Sequence, residues 1–418
     1  MVFRKIKFEK IFCEYLLNII MDPNDFVKAI KQVLELKNFQ QFVPLHEPIF
    51  KDTLANFYTQ DCIESGWVSS AGEYVKKFEE SIAKFTGAKY AVAVNNGTAA
   101  LRLGLHLLNV KPNDEVITSP LSFVATSNAI SHLGGIPNFV DIEKSSLGLS
   151  PESLDLYLSE IALIKNGRII NKNTGRVIKA ILPVHVFGNP AKIVEIKKIA
   201  DKWGLPIIED AAEALGSFIS LDNKKIHCGL LGDLGVISFN GNKLITTGGG
   251  GVIITNNEKI AMKAKHLSTT AKENHPWEFF HNEVAWNDRL PNINAALGLA
   301  QMEVLKERLD KKKKLYLKYL NIFSKFEKIE IFQGRPNTFP NNWLITLRLL
   351  NQDQNILYKQ RNEILIESHK YKIQTRPAWK LLNSLPMYQN NPSQNTVIAN
   401  DQINRLINLP SSPQLLKS

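Results

Sequence analysis

Val236-Ile237-Ser238-Phe239-Asn240-Gly241-Asn242-Lys243 runs from an apolar strand into a polar turn that ends on a lysine. Leu244-Ile245-Thr246-Thr247 and four glycines, Gly248 to Gly251, follow it. A lysine a few residues past a strand end, among small residues, is set to face a cleft with little bulk around it. Partial desolvation there makes its amine a usable nucleophile toward a carbonyl. Taken alone, the same residues also suit a surface lysine.

Working outward, the strand at Gly235 to Phe239 is one of seven short runs rich in Val and Ile. The others lie near Ala91 to Asn95, Glu115 to Ser119, Ile136 to Asp141, Ala180 to Phe187, Pro206 to Asp210 and Gly251 to Thr255. They are nearly continuously apolar, as strands buried on both faces are. Helical patterns fit between them at Ala99 to Leu108, Ser127 to Leu133, Ala191 to Trp203 and Lys259 to Leu267. This rhythm predicts an α/β fold with a mainly parallel seven-stranded sheet covered by helices on both faces. Ligands of such sheets sit beyond the carboxyl ends of the strands. From Ala295 the texture changes to a long charged helix, expected to reach Phe323, and then to a smaller α+β unit. The expected division is an N-terminal extension and helix over 1–45, a large unit over 46–295 and a small one over 296–418.

Two further strand ends carry chemistry. Asn95-Asn96-Gly97-Thr98-Ala99-Ala100-Leu101 opens a helix whose free N–H groups and Thr98 hydroxyl suit a phosphate, although a plain capped helix start reads the same way. Ile207-Ile208-Glu209-Asp210-Ala211-Ala212-Glu213 puts an acidic pair at a strand end, where a buried carboxylate needs a partner; a helix cap is the alternative. Together these give a phosphate cup, an acid able to pair with a protonated ring nitrogen and, about 30 residues on, an amine. Pyridoxal 5'-phosphate requires these three groups.

The bulk numbers are permissive. The 418 residues are 44% hydrophobic and 22% charged, an ordinary globular composition that excludes disordered and collagen-like classes. Net charge is +11, which suits an anionic partner without choosing one. The dense run Lys311 to Lys314 is expected to be a solvated helix face. Cys13, Cys62 and Cys228 can build neither a disulfide framework nor a four-cysteine zinc site, which fits a reducing cytoplasm. No stretch has the roughly 18 uninterrupted apolar residues of a membrane helix. Near the N-terminus, Arg4, Lys5 and Lys7 precede Ile11 to Ile20, but Glu9, Lys10 and Glu14 intervene and no small-residue cleavage site follows. Residues 1–20 are expected to be an extension upstream of a start at Met21, with a packed helix as the alternative.

The sequence resembles the DegT/DnrJ/EryC1/StrS family of sugar aminotransferases, of the aspartate-aminotransferase fold (pyridoxal-phosphate fold type I), from about residue 43 onward. The resemblance is carried by Gly66-Trp67-Val68-Ser69-Ser70, Asn96 to Leu101, Ser122-Phe123-Val124-Ala125-Thr126, Pro183 to Gly188, Glu209 to Ala212 and Ser238 to Lys243. Leu45-His46-Glu47-Pro48-Ile49-Phe50, His275 to Phe279 and Arg289 to Ala296 carry a narrower likeness to the LegC-like subgroup.

That resemblance implies transfer of an amino group from an amino acid, L-glutamate, to a nucleotide-linked 4-keto-6-deoxy-N-acetylhexosamine on the way to legionaminic acid or a related surface-glycan sugar. It implies that Lys243 carries the cofactor and later moves a proton between cofactor and substrate carbons. Asp210 would keep the pyridine nitrogen protonated, while Gly97, Thr98, Ala99 and Ser238 would hold the phosphate. Phe123 would stack on the ring, unless it is an ordinary core aromatic. Glu213 stands where relatives often have Gln or His near the ring. His185, Arg376 and Trp379 are candidate substrate contacts, with a satisfied strand-end histidine and a structural turn as the alternatives.

Asn287 matches an asparagine that reaches the cofactor phosphate of a neighbouring subunit, which implies a homodimer with shared active sites. The adjacent Asp288 departs from the family pattern and adds a negative charge near an anion site. Two other functions compete. In dehydratases on the same fold histidine holds the lysine position, which Lys243 does not match. A non-catalytic regulatory or nucleic-acid-binding protein would carry a helix-turn-helix, RNA-binding or zinc motif, and none is present.

Overall fold

The seven expected strands form one sheet. They are β1 (Tyr90–Val94), β2 (Glu115–Thr118), β3 (Ile136–Phe139), β4 (Ile178–Leu182), β5 (Ile208–Asp210), β6 (Leu234–Ser238) and β7 (Gly251–Thr255). In this computed structural model, which describes residues 21–36 and 42–416, β3-β2-β4 and β5-β6-β7-β1 are hydrogen-bonded sets. Parallel bridges between Ile181 and Ile207 and between Val184 and Asp210 join them into a single sheet. Only β7 runs against its neighbours, β1 and β6. The carboxyl ends of β1 through β6 therefore share one edge. The extension expected over residues 1–20 lies outside the described residues.

Side-chain alternation explains why both faces are covered. Val92, Val94, Val236 and Ile253 pack with residues of the helices Gly97–Leu107, Ala125–Ser131 and Glu258–Ser268. Ala93, Ile237, Val252 and Ile254 point the other way, onto Phe78 and Ile82 of the helix Glu73–Thr86 and onto Ala295. Farther along that second face, Ile117, Ile181 and Ile207 meet the helices Pro151–Ile161 and Ile193–Trp203.

Several expectations change. The strand expected to reach Phe187 stops at Leu182, since Pro183 has no N–H to donate, and the chain then turns through Val186–Gly188 with Phe187 at φ 56° and Gly188 at φ 86°. The long charged helix is two helices, Asn292–Met302 and Leu305–Phe323. The first is pinned at its end by Gln301, whose amide donates to the Thr246 carbonyl (2.5 Å) and accepts from the Thr246 N–H (3.2 Å), and the chain bends there before running over the C-terminal sheet. The division expected at 295/296 falls inside that helix, and Ala295, Met302 and Leu305 share a core with Phe78. Lys312 departs from the expected solvated face, for it is wholly buried while Lys311, Lys313 and Lys314 are exposed.

The C-terminal sheet is antiparallel, in the order β8 (Ile329–Ile331), β9 (Ile345–Leu349), β11 (Leu406–Leu409) and β10 (Arg376–Pro377). The helix Pro23–Leu34, expected to stand apart with residues 1–45, packs into this core. Its Phe26 and Ile30 join Leu315, Tyr319, Phe323 and Leu347. Asp22 caps it by accepting the Asn24 N–H at 2.7 Å. Phe26 is fully buried, with its ring 5.9 Å from that of Phe323. Phe26→Ala is expected to lower stability by about 3 to 5 kcal/mol, read as a shift in the denaturant midpoint. An unchanged midpoint would remove this helix from the core.

Candidate active site

One cavity of about 580 Å³ opens at the shared carboxyl edge of the sheet. Gly97, Thr98, Phe123, Asp210, Glu213, Ser238, Lys243, Arg376 and Trp379 line it. Residues expected from four separate strand ends and from the C-terminal unit thus meet in one place. Ala99, His185 and Asn287 do not line it.

The acidic pair divides by strand alternation. Glu209 is buried and accepts N–H groups from Gly229 (2.8 Å), Leu231 (2.7 Å) and Gly232 (2.6 Å), and it meets His185 Nε2 at 2.9 Å. The other imidazole nitrogen, His185 Nδ1, accepts the Ala191 N–H at 3.1 Å. Although Glu209 favours a charged ring, that N–H needs a lone pair on Nδ1, so the imidazole is neutral with its proton on Nε2. His185, expected near a substrate, is instead a buried brace with both nitrogens committed. Asp210 faces the cavity. Its carboxylate accepts from Thr126 Oγ1 (2.7 Å) and the Ala212 N–H (3.1 Å). Burial pushes this carboxyl above its usual range, a push that the Thr126 hydrogen bond opposes.

The helix Gly97–Leu107 begins against β6. Asn96 caps it by accepting the Ala99 N–H at 2.8 Å. Ala99, expected at the phosphate, is therefore committed to the cap. The first-turn N–H groups of Gly97 and Thr98 have no intrahelical partner, and both residues line the cavity. A side chain at 97 would come within 2.8 Å of Ser238 Cβ. Only glycine lets the helix start approach the end of β6 this closely.

Lys243 lies at the end of the turn after β6, with its N–H donating to the Asn240 carbonyl at 3.0 Å. Nζ donates to Glu213 Oε1 at 3.2 Å and sits 4.0 Å from the centre of the Trp343 ring. Glu213 Oε2 accepts the Phe187 N–H at 2.8 Å, so one buried carboxylate ties the amine to the turn after β4. Burial raises the Glu213 carboxyl, and Lys243 opposes the rise. The amine is held between an acid and an aromatic face, directed at the same cavity as Asp210.

At the rim, Phe123 is 52% exposed and is no core aromatic. Trp379 packs 4.8 Å from Phe187, and Arg376 is exposed on β10. Asn287 is exposed away from the cavity and accepts from Arg289 Nε at 3.0 Å. The charge of Asp288 is neutralised by an ion pair with Arg102 of the adjacent helix. Sequence reasoning missed Thr126 as the partner of Asp210, although Ser122 to Thr126 was singled out. It also missed Trp343, Gln374 and Asn408, which arrive from the C-terminal unit and carry no local motif.

A sequence profile described as the DegT/DnrJ/EryC1/StrS aminotransferase family matches residues 51–418. The chain belongs to that family. EpsN of Bacillus subtilis (strain 168) is 36% identical over 331 residues, covering 79% of this chain and 80% of EpsN. A GDP-perosamine synthase of Vibrio cholerae is 33% identical over 377 residues, 89% of this chain and 95% of that protein. Among solved structures, PseC of Helicobacter pylori, an aminotransferase involved in the biosynthesis of pseudoaminic acid, is similar with a TM-score of 0.78 at 26% identity. That match covers 90% of this chain and 95% of PseC.

The family's aminotransferases use pyridoxal phosphate, and the residues here fit it. A helix start without side-chain bulk suits its phosphate, the buried Asp210 lacks only a cation, and the Lys243 amine shares their cavity. Among the described residues no cluster could hold a metal ion, and no helix is long and apolar enough to cross a membrane. Cys62 and Cys228 are free and buried.

The raised Asp210 carboxyl has a stability consequence in cofactor-free protein. Its contribution is fully present below the unfolded carboxyl value and is lost as pH rises through the raised folded value. Asp210→Asn keeps both hydrogen bonds without the charge, because Thr126 Oγ1 can accept where it donated. At neutral pH the cofactor-free variant is expected to be as stable as the natural protein or more so, by about 1 kcal/mol, with the difference closing in mild acid. Thermal melts across pH would read this, and a variant less stable at neutral pH would contradict it.

Proposed function

We propose that this enzyme aminates the 4-keto group of a nucleotide-linked 6-deoxy-N-acetylhexosamine, with L-glutamate as donor, in making legionaminic acid or a related surface-glycan sugar. The observation that carries the reading is the meeting of Lys243, Asp210 and the Gly97 helix start in one cavity whose far wall is Arg376, Trp379 and Asn408. A polar, partly aromatic wall suits a sugar nucleotide, since Arg pairs with diphosphate oxygens and Trp stacks on a flat ring. The relative named as a GDP-perosamine synthase supports a nucleotide-linked substrate. The narrower choice of sugar rests on the LegC-like stretches of sequence.

Bound pyridoxal phosphate supplies an aldehyde that takes up the amino group and a ring that accepts the electron pair left when a carbon–hydrogen bond breaks. The chain's residues do the rest. Gly97 and Thr98 N–H groups and Ser238 would hold the phosphate, with Phe123 beside the ring. Asp210, fixed by Thr126, would hold the proton on the ring nitrogen. Lys243 Nζ, directed by its hydrogen bond to Glu213, would hold the cofactor through its aldehyde and would be the group that carries a proton to and from carbon.

Asn287 would complete the phosphate site of a second copy in a homodimer. Its exposure is consistent with this, and exposed Trp67 and Val68 offer apolar surface to such a partner. Ion pairing of Asp288 with Arg102 removes the electrostatic objection to an anion nearby.

The protein purified with its cofactor is expected to be yellow, to bleach with L-glutamate and to regain colour on adding the ketosugar. The product's mass should match replacement of the ketone oxygen by an amine. Lys243→Ala is expected to be colourless and slower by at least about a thousandfold. Natural enzyme that aminates no nucleotide-linked ketosugar, or a Lys243→Ala variant of near-normal rate, would refute the reading.

A further inference from the structure

Asn408 lies on β11, in the middle of the C-terminal sheet, with Thr346 of β9 opposite it on one side and Arg376 of β10 on the other. Residues opposed across antiparallel strands project to the same face, roughly 5 Å apart. The row therefore runs from a buried hydroxyl through the Asn408 amide to an exposed guanidinium. Both Asn408 and Arg376 line the cavity, as does Gln374.

Each carboxamide on this wall is turned by a bond to its oxygen. Asn408 Oδ1 accepts from Thr346 Oγ1 at 2.8 Å, closer than the 3.4 Å from that hydroxyl to its other acceptor, the Leu344 carbonyl. The Asn408 amide nitrogen has no partner among the described residues, yet it is not sealed from solvent. Since Asn408 is only 3% exposed, that remaining surface is on the cavity it lines. Gln374 repeats the arrangement two residues before Arg376. Its Oε1 accepts the Leu45 N–H at 2.9 Å, and its Nε2 is likewise accessible and without a partner among the described residues.

What this wall can bind follows from its donors. A primary amide whose oxygen is committed offers N–H groups alone, so it fits an oxygen acceptor and opposes an ammonium, which has no lone pair. A carboxylate or diphosphate buried beside Asn408 would need a cation. Lys243 and Arg376 are the lysine and arginine that line the cavity, and Lys243 is already held by Glu213 at 3.2 Å. Arg376 stands at the exposed end of the row. Charge therefore belongs at that end, and a neutral oxygen belongs beside Asn408.

We infer that Asn408 and Gln374 are specificity-determining residues that donate hydrogen bonds to hydroxyl or acetamido oxygens on the hexose ring of the ketosugar, and so exclude a free amino group from the same positions. This rests on the proposed function, in which Arg376 pairs with the diphosphate. A site built to hydrogen-bond a substituent rejects analogues that cannot answer it, because its own polar groups are then left unpaired.

Asn408→Asp keeps the acceptor for Thr346 and the side-chain shape while replacing the free N–H groups by an oxygen. Gln374→Glu does the same beside Leu45. The cofactor-loaded enzymes are compared at neutral pH, with each half-reaction followed separately by stopped-flow absorbance. The ketosugars carry acetamido, hydroxyl, hydrogen or amino at successive ring positions. Natural enzyme is expected to prefer an oxygen substituent over an amino group at the position each residue reads. There the matching variant should lose roughly 10- to 100-fold in kcat/KM toward the oxygen substituent and should narrow or reverse the preference. Bleaching by L-glutamate should stay near the natural rate.

A variant that keeps the natural preference at every ring position overturns the assignment of its residue, so the two residues stand or fall separately. A loss of equal size in the L-glutamate half-reaction also overturns it, since the substitution would then have disturbed the cavity as a whole. Natural enzyme that bleaches with L-glutamate but aminates no ketosugar would instead strike the proposed function, a result distinct from either.

Discussion

A carboxylate at the end of a buried strand must find hydrogen-bond donors or a cation, because leaving its charge unmatched in an apolar wall costs several kcal/mol. Two consecutive acids end β5, and successive side chains of a strand point to opposite faces. Whatever satisfies one of them cannot satisfy the other. Glu209 is met inside the fold by three N–H groups of the Gly229 to Gly232 turn and by His185. That network fixes the entrance to β6 and the turn after β4. Asp210, on the other face, has only Thr126 and the Ala212 N–H, and its remaining capacity points into the cavity. One acid braces the sheet edge, and the other is left for a cationic ligand.

The same edge fixes where the amine goes. β6 lies beside β5 in parallel register, with Val236 opposite Asp210. The turn after β6 therefore delivers Lys243 to the side of the sheet on which Asp210 ends. β7 starts at that edge and runs back antiparallel, and Gly251 lets it pass beneath the helix cap, since a side chain there would come within 2.5 Å of the Asn96 carbonyl. The helix start, acid and amine thus follow β1, β5 and β6, of which β5 and β6 bond directly and β1 is joined to β6 through β7.

What the sequence revealed follows from how local each signal is. Lys243, Asp210 and the Gly97 helix start were legible because strand-end polarity is written within a few residues. Ala99 was misjudged by one turn, since a capped helix start and a phosphate cup share a sequence and differ only in which N–H the Asn96 side chain takes. For His185, a strand-end histidine reads the same in a cavity or beneath one until its partner, 24 residues away, is located. Lys312 was hidden in a run of four lysines, where only the helix phase decides which one turns inward. Trp343, Gln374 and Asn408 had no local mark at all, because they meet the cavity only when the C-terminal unit closes over the sheet edge.

Lys312 shows how that closure is fixed. Its fully buried amine donates to the carbonyls of Trp343 (3.2 Å) and Ser411 (2.5 Å), two segments of the C-terminal unit that flank the paired strands β9 and β11. Trp343 lies under the Lys243 amine, and Ser411 holds the carbonyl of Leu45. A single buried amine thus ties the floor beneath the reactive Lys243 to the strap that carries His46. Burial lowers the Lys312 pKa well below the ordinary value. The stretches around the reactive amine and around His46 are therefore positioned together, although nearly 200 residues separate them. The large unit brings Gly97, Asp210 and Lys243 to the cavity, and the small unit supplies Trp343, Arg376, Trp379 and Asn408 as its facing wall.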